Sequence, residues 1–310
     1  MSRKGPPADL AASVRARLDD LRKRKGLELE LVLSEFAIER LLFRLGISPY
    51  AERFVLKGAT LFRIWSEQRG RATWDLDLLG RDEGDVEAMV RVMRELCALD
   101  SEDGLLFPPE RVSGEEIRIP DEFVGVRIRM EARLGTARIP IQIDIGFGDA
   151  IVPPPQRTRF PVLLDLAVPE ILVYPKETVI AEKFSAMVTK GVTNTRMKDF
   201  YDVDLLARTQ EFRGSLLVQS LNATFARRGV PREEPVALEQ GFLISPLRAH
   251  AWKAFLRRGR LDSGLDAEGL HGRVRGFLLP VWQAASQELP FIFTWTPGGP
   301  WRPGEKNGES

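Results

Sequence analysis

Phe54-Val-Leu-Lys-Gly-Ala-Thr-Leu-Phe-Arg-Ile-Trp65, followed closely by Arg71-Ala-Thr-Trp-Asp-Leu-Asp-Leu-Leu-Gly80, reads as a strand, a glycine turn, a helix and a second strand that carries two carboxylates. Strand side chains alternate between faces, so Asp75 and Asp77 share one face while Leu76 and Leu78 take the other. Carboxylates held side by side repel each other, and a divalent cation between them removes that repulsion. Hard oxygen donors of this kind suit Mg²⁺, with Mn²⁺ as a second choice. The turn at Gly58 can offer backbone N–H groups to a phosphate. Together these features point toward metal-dependent transfer of a nucleotide. The competing reading is an edge strand whose aspartates simply face water.

A second alternating run, Arg138-Ile-Pro-Ile-Gln-Ile-Asp-Ile-Gly-Phe-Gly148, puts Ile139, Ile141, Ile143 and Ile145 on one face and Gln142, Asp144 and Gly146 on the other. Asp144 is then available as a third carboxylate. Such a group can help to hold a metal or accept the proton of an attacking hydroxyl.

Five blocks carry a resemblance to a known family. They are Leu56-Lys-Gly-Ala-Thr-Leu61, Arg71-Ala-Thr-Trp-Asp-Leu-Asp-Leu78, Ile143-Asp-Ile-Gly-Phe-Gly148, Tyr174-Pro-Lys-Glu-Thr-Val-Ile-Ala-Glu-Lys-Phe-Ser-Ala-Met187 and Asn194-Thr-Arg-Met-Lys-Asp-Phe-Tyr-Asp-Val203. In their order and spacing they resemble the AbiEii/AbiGii nucleotidyltransferase toxins, which include the mycobacterial MenT proteins and fall in the DNA polymerase β-like nucleotidyltransferase superfamily. The resemblance implies an α+β fold: a mixed nucleotidyltransferase sheet flanked by helices, with a C-terminal helical domain. It also implies a toxin of a toxin-antitoxin system that moves NMP from an NTP to an RNA acceptor, a tRNA 3′ end, with Mg²⁺ as cofactor and a cognate antitoxin as partner.

By match to the family blocks, the catalytic residues would be Asp75, Asp77, Asp144, Lys183 and Asp199, the first three also holding the metal. Lys57, Gly58, Ala59, Thr60, Arg71, Arg196 and Lys198 would bind substrate. One departure stands out: the superfamily has Gly-Ser, and this toxin group often Gly-Gly-Thr, where the present chain has Gly58-Ala59-Thr60. A Cβ at residue 59 narrows the backbone angles of the turn, which leaves Thr60 to supply a phosphate-binding hydroxyl. Two other readings share the motifs: a small-molecule nucleotidyltransferase of the antibiotic-modifying type, and a non-catalytic nucleotide-binding protein.

Composition narrows the field. A chain of 310 residues that is 44% hydrophobic can bury one large core or two moderate ones. No apolar run approaches the ~20 residues that span a bilayer. Met1-Ser-Arg-Lys-Gly-Pro-Pro7 is not followed by a signal-peptide core. A cytoplasmic protein with no membrane association is therefore expected. The single cysteine, Cys97, has no internal partner and falls on a helical apolar pattern that predicts burial; His250 and His271 do not make a zinc site by themselves. Walker A, Gly-x-Ser-x-Gly and His-Glu-x-x-His sequences do not occur.

With 45 Lys and Arg against 44 Asp and Glu, the formal net charge is +1, so any nucleic-acid contact has to be local. Candidate patches are Arg22 to Lys25, Arg227 and Arg228 with Arg232, and Arg248, Lys253, Arg257, Arg258 and Arg260.

Apolar spacing predicts helices from Asp9 to Arg24 and from Glu28 to Leu45, ended by Gly26 and Gly46. A helix follows from Gly84 to Leu99, then strands from Glu115 to Ile119, Val124 to Leu134 and Ile139 to Phe147, the last two joined by a turn near Gly135. Pro153-Pro-Pro155 is read as the end of the sheet region, and from Lys176 onward the pattern is helical. The expected organisation is a nucleotidyltransferase domain over 1–165 that includes the N-terminal helical pair, a helical domain over 166–290 that closes the active-site cleft, and a flexible tail over 291–310 unless Trp295 and Trp301 anchor it.

The helical half holds its own charged candidates. Lys183 borders the apolar stripe of Val179, Ile180, Phe184 and Met187, where a long stem can lie buried and its ammonium reach a phosphate; the alternative is a salt bridge, for example to Asp199. Asp199 and Asp202 lie at i and i+3 on one helix face, with Arg196 one turn earlier. Asp202 is read as structural.

Overall fold

The computed structural model describes residues 10–65, 73–82, 84–118, 124–261 and 264–304, and the chain divides into two compact units. Asp9, Arg71, Ile119 and the last six residues of the expected tail lie outside the described residues.

Unit 1 comprises residues 1–64, 72–148 and 156–173. It begins with helices α1 (Leu10–Lys25) and α2 (Leu29–Ile47), followed by β1 (Phe54–Lys57), a 3₁₀ turn over Ala59–Leu61, the short α3 (Phe62–Trp65), β2 (Asp75–Gly80) and α4 (Val86–Cys97). Strands β3 (Leu105–Leu106), β4 (Ser113–Arg118), β5 (Val124–Leu134), β6 (Ala137–Phe147), β7 (Gln156–Arg159) and β8 (Glu170–Val173) complete it. Among the described residues they form a mixed eight-stranded sheet in the order β3-β5-β6-β2-β1-β8-β7, with β4 on the free part of β5. The β2–β6 and β1–β8 pairs are parallel and the others antiparallel.

The apolar face of the sheet is buried. Ile139, Ile141, Ile143 and Ile145 of β6 are all at most 3% exposed, beside Leu76, Leu78 and Ile128. The N-terminal helical pair and α4 pack on this layer. Cys97 of α4 is buried as its pattern predicts, and burial pushes its thiol up to about 11, which makes it a poor nucleophile. At the far end of α2, Arg40 and Arg44 are buried and donate to Asp103 at 3.1 and 2.7 Å. Burial opposes the Asp103 charge, and hydrogen bonds from Arg44 and Ser101 more than offset it, so the carboxyl stays below its ordinary range.

Two details differ from the sequence reading. Gly46 lies inside α2 rather than at its end, because α2 runs on to Ile47. Its lack of a side chain serves packing: a Cβ there would sit 2.6 Å from the carbonyl oxygen of Glu170 in β8. Pro153-Pro-Pro155 also does not end the sheet, since β7 and β8 follow it and Ile171, Leu172 and Val173 are buried. β8 joins β1 in parallel, Val55 opposite Leu172, which carries unit 1 as far as Val173.

Unit 2 comprises residues 65–71, 149–155 and 174–310. It contains α5 (Lys176–Lys190), α6 (Met197–Thr209), β9 (Phe212–Arg213), α7 (Gly214–Arg228), α8 (Pro246–Gly259), α9 (Ala267–Ser286), β10 (Phe293–Trp295) and β11 (Trp301–Pro303). Phe184, Phe225 and Trp282 bring α5, α7 and α9 together, with ring centroids 5.5 to 5.7 Å apart. Asp204 of α6, fully buried, pairs with Arg208 at 3.0 Å and with Arg273 of α9 at 2.8 Å.

Residues 291–304 are not a loose tail. β9, β10 and β11 make a three-stranded sheet whose tryptophans are tied down. Trp295 donates its indole N–H to the Ala207 carbonyl at 2.6 Å, and Trp301 donates to the Phe277 carbonyl at 2.9 Å. Both rings pack on Phe277. Trp295 and Trp301 thus anchor the segment.

Trp295→Ala is therefore expected to destabilise the protein by about 3–5 kcal/mol, the usual cost of emptying a buried aromatic position. Urea unfolding followed by fluorescence of the remaining tryptophans measures it. A loss below about 0.5 kcal/mol would return this segment to the status of a mobile tail.

Candidate active site

In unit 1 the backbone register lines up a row of charges. Lys57 of β1 is the partner of Asp77 of β2, Asp77 is the partner of Asp144 of β6, and Asp144 is the partner of Arg127 of β5. Register partners on neighbouring strands point to the same face, so the row reads cation, carboxylate, carboxylate, cation across four strands. Asp75, two residues before Asp77, shares that face and stands opposite Gln142. It is the face opposite the isoleucines. Asp75 is exposed and Asp77 and Asp144 are half-buried, whereas Lys57 is buried.

Arg127 is the residue that the sequence reading missed. Its guanidinium donates through Nε to Asp144 Oδ1 at 2.8 Å and through Nη2 to Asp144 Oδ2 at 2.7 Å, a bidentate pair. That hydrogen bonding raises the Arg127 pKa above its ordinary value. A signal for it did exist. Leu134 and Ala137 pair across a two-residue turn at Gly135, and counting back along both strands brings Arg127 opposite Asp144.

The turn after β1 approaches the row closely. Gly58 has φ +74°, and a Cβ built on it would lie 1.9 Å from Asp77 Oδ2. Glycine is thus required twice, for its backbone angle and for the space that the carboxylate fills. Ala59 and Thr60 are both buried in the 3₁₀ turn, and among the described residues the Thr60 hydroxyl has no hydrogen-bond partner. Arg71 lies outside the described residues.

The other candidates belong to unit 2 and form a cluster of their own. Lys183 on α5 is 2.6 Å from Asp202 Oδ2 and 3.5 Å from Asp199 Oδ1, both of which lie on α6 and are nearly fully buried. Arg196 Nε is 2.8 Å from the other Asp199 oxygen. Lys198 is exposed. Asp202, read from sequence as structural, is the shorter of the two partners of Lys183.

The basic patches are unequal. Arg248 is committed to structure: it donates to the carbonyls of Val192, Asn194 and Phe242 and to the Ser245 hydroxyl, and it stacks on the Phe242 ring at 3.8 Å. Arg228 is buried against Asp149 and Glu182, and Arg232 donates to the Ala285 carbonyl and Asn222. Lys253, Arg257 and Arg258 of α8 are exposed. Among the described residues no helix is long and apolar enough to cross a membrane.

The charged row fits a hard divalent cation by its donor chemistry. Asp75 and Asp77 supply carboxylate oxygens on one face, and Asp144 stands in the next strand. Among the described residues no three His, Cys, Asp or Glu side chains already form a cage. Mg²⁺ does not need one, since it is commonly held by one or two carboxylates together with substrate phosphates and water.

A sequence model of one family, the AbiEii nucleotidyl transferase toxins of type IV toxin-antitoxin systems, matches residues 40–277. Among curated proteins none matches significantly. Two solved structures from Helicobacter pylori are similar at low identity. The JHP933 protein is 13% identical, covers 84% of this chain and 96% of its own, and superimposes with a TM-score of 0.46. A candidate nucleotidyltransferase is 14% identical, covers 86% of this chain and 100% of its own, and gives a TM-score of 0.47.

The tight approach of Gly58 to Asp77 generates a test. Gly58→Ala is expected to cost about 1–3 kcal/mol through backbone strain alone, and the clash adds to this. Asp77→Ala introduced into that background should recover part of the loss by removing the carboxylate. Denaturant titrations of the single and double variants read the outcome. A Gly58→Ala protein as stable as the wild type would mean that the turn does not lie against the carboxylate.

Proposed function

The chain belongs to the AbiEii nucleotidyl transferase toxin family, and from that premise we propose that it transfers NMP from an NTP to the 3′ end of an RNA, with tRNA as the acceptor and Mg²⁺ as the cofactor. The observation that carries this reading is the register of Asp77 beside Asp144, with Asp75 on the same face. Like charges in register oppose one another; Lys57 and Arg127 flank Asp77 and Asp144 in the row, and a divalent ion would offset the three carboxylates further.

In this reading Asp75 and Asp77 would hold Mg²⁺, and Asp144 would complete the donor set on the side of the acceptor. When bound, the ion supplies Lewis-acid polarisation of the α-phosphate and neutralises the departing pyrophosphate. The acceptor 3′-oxygen attacks the α-phosphorus, the bond to the β-phosphate bridging oxygen breaks, and pyrophosphate leaves. Asp144 would orient the attacking hydroxyl or take its proton. Lys183 and Asp199 would act on the nucleotide, with Lys183 offsetting phosphate charge and Arg196 and Lys198 steadying nucleotide or acceptor. Lys57, Gly58, Ala59, Thr60 and Arg71 would border the phosphates. For the acceptor backbone we favour the exposed Lys253, Arg257 and Arg258 of α8; elsewhere Arg22 and Lys23 pair with Asp19, Arg228 pairs with Glu182, and Arg232 donates to the Ala285 carbonyl. A cognate antitoxin is the expected protein partner.

The test incubates the purified protein and Mg²⁺ with total RNA and each α-labelled NTP in turn. One NTP should label RNA, tRNA above all. Asp75→Ala and Asp77→Ala should each lower the rate at least about a thousandfold while remaining folded. Labelling of RNA at wild-type rate by both variants would overturn the assignment, and NTP turnover independent of RNA would favour a small-molecule acceptor.

A further inference from the structure

We infer that Arg127 is a positioning residue for the reaction, acting through Asp144; the inference rests on the reading above. The register row, the bidentate pair and the neighbouring ion pair lead to it together. The backbone puts Asp144 on the correct face but leaves its carboxylate plane loose, because the terminal torsion of aspartate has broad wells. The Arg127 fork closes that freedom by holding both oxygens, at 2.8 and 2.7 Å. Each carboxylate oxygen has two acceptor positions, so the fork uses one on each and leaves one on each aimed in a set direction. A lysine at the same place would supply a charge but not a plane.

The rest of the row keeps Arg127 on this task. Its other register partner is Glu115 of β4, which is paired with Arg129 at 2.7 Å. Arg127 and Asp144 are 29% and 17% exposed, enough shielding for the pair to persist and enough opening for a substrate to reach the carboxylate. No motif of the family blocks contains Arg127, which lies on the strand before the Asp144 block.

Positioning and ligation predict opposite signs for cation binding. Asp144→Asn removes a carboxylate and should weaken Mn²⁺ binding. Arg127→Gln removes a cation and unmasks Asp144, so Mn²⁺ binding should hold or tighten while the rate of transfer falls. A residue that merely stabilised the fold would not produce that split.

The experiment uses the full chain. Mn²⁺ binding is measured by electron paramagnetic resonance with a non-hydrolysable NTP analogue, and transfer is measured as kcat and KM for the NTP accepted by the wild type. Arg127→Gln should lower kcat roughly 10–100-fold, the usual cost of losing a group that orients a metal-site residue, with KM for NTP changed less than about threefold. Arg127→Lys should fall between Arg127→Gln and wild type, and it decides the matter if the glutamine variant does not fold. Arg127→Gln added to Asp144→Asn should lower kcat no further. Unchanged kcat in Arg127→Gln, an equal loss in the Asp144→Asn background, or weakened Mn²⁺ binding would each overturn the inference. A wild type that binds no Mn²⁺ would overturn the metal reading on which it rests, a failure distinct from the other three.

Discussion

Two aspartates on adjacent parallel strands, Asp77 and Asp144, are held side by side by the hydrogen-bond register of β2 and β6, and they cannot move apart without breaking that ladder. Like charges at this spacing oppose folding. The sheet answers by flanking them with Lys57 on one side and Arg127 on the other, so that the row is balanced before any substrate arrives. Asp75, two residues before Asp77, lies on the same face and is exposed at the start of β2.

Much of unit 1 can be understood as support for that row. The isoleucine face of β6 buries against the helices and so fixes which way the carboxylates point; a slip of one residue would send them into the core. β1 brings the glycine turn against Asp77, and β8 in turn holds β1. Gly46 lets α2 lie directly on the β8 backbone, which ties the helical layer to the strand that braces the turn. Unit 2 has its own logic, in which buried acids on α6 are matched by basic residues: Asp202 and Asp199 by Lys183 and Arg196, Asp204 by Arg208 and Arg273. Removing one partner from such a buried pair costs more than the pair itself contributes.

The legible parts of this chain were those governed by periodicity. Alternation placed Asp75, Asp77 and Asp144 on one face, and the helical pattern begins at Lys176, where α5 starts. Features that depend on pairing between distant segments were not legible. β7 and β8 are four residues each, too short for a pattern, and only the pairing of β8 with β1 and of β7 with β8 makes them strands. Gly46 looked like a helix end because its true reason is a backbone more than a hundred residues away. Arg127 escaped notice since an alternating arginine reads as a solvated strand face until the hairpin register is counted across the turn. Asp202, read as structural, is buried and pairs with the Lys183 ammonium, a partnership between two helices that spacing along one of them does not reveal. The last strands were hidden by a composition rich in glycine and proline, in which two tryptophans were the only sign of order.

Anomalous diffraction from crystals grown with Mn²⁺ and a non-hydrolysable NTP tests the central claim most directly, which is that the paired carboxylates exist to hold a cation against a nucleotide. An anomalous peak is expected within about 2.0–2.3 Å of oxygens of both Asp75 and Asp77, with nucleotide phosphate on the far side of the ion. Nucleotide bound elsewhere on the protein, with no anomalous scatterer at Asp75 and Asp77, would contradict it.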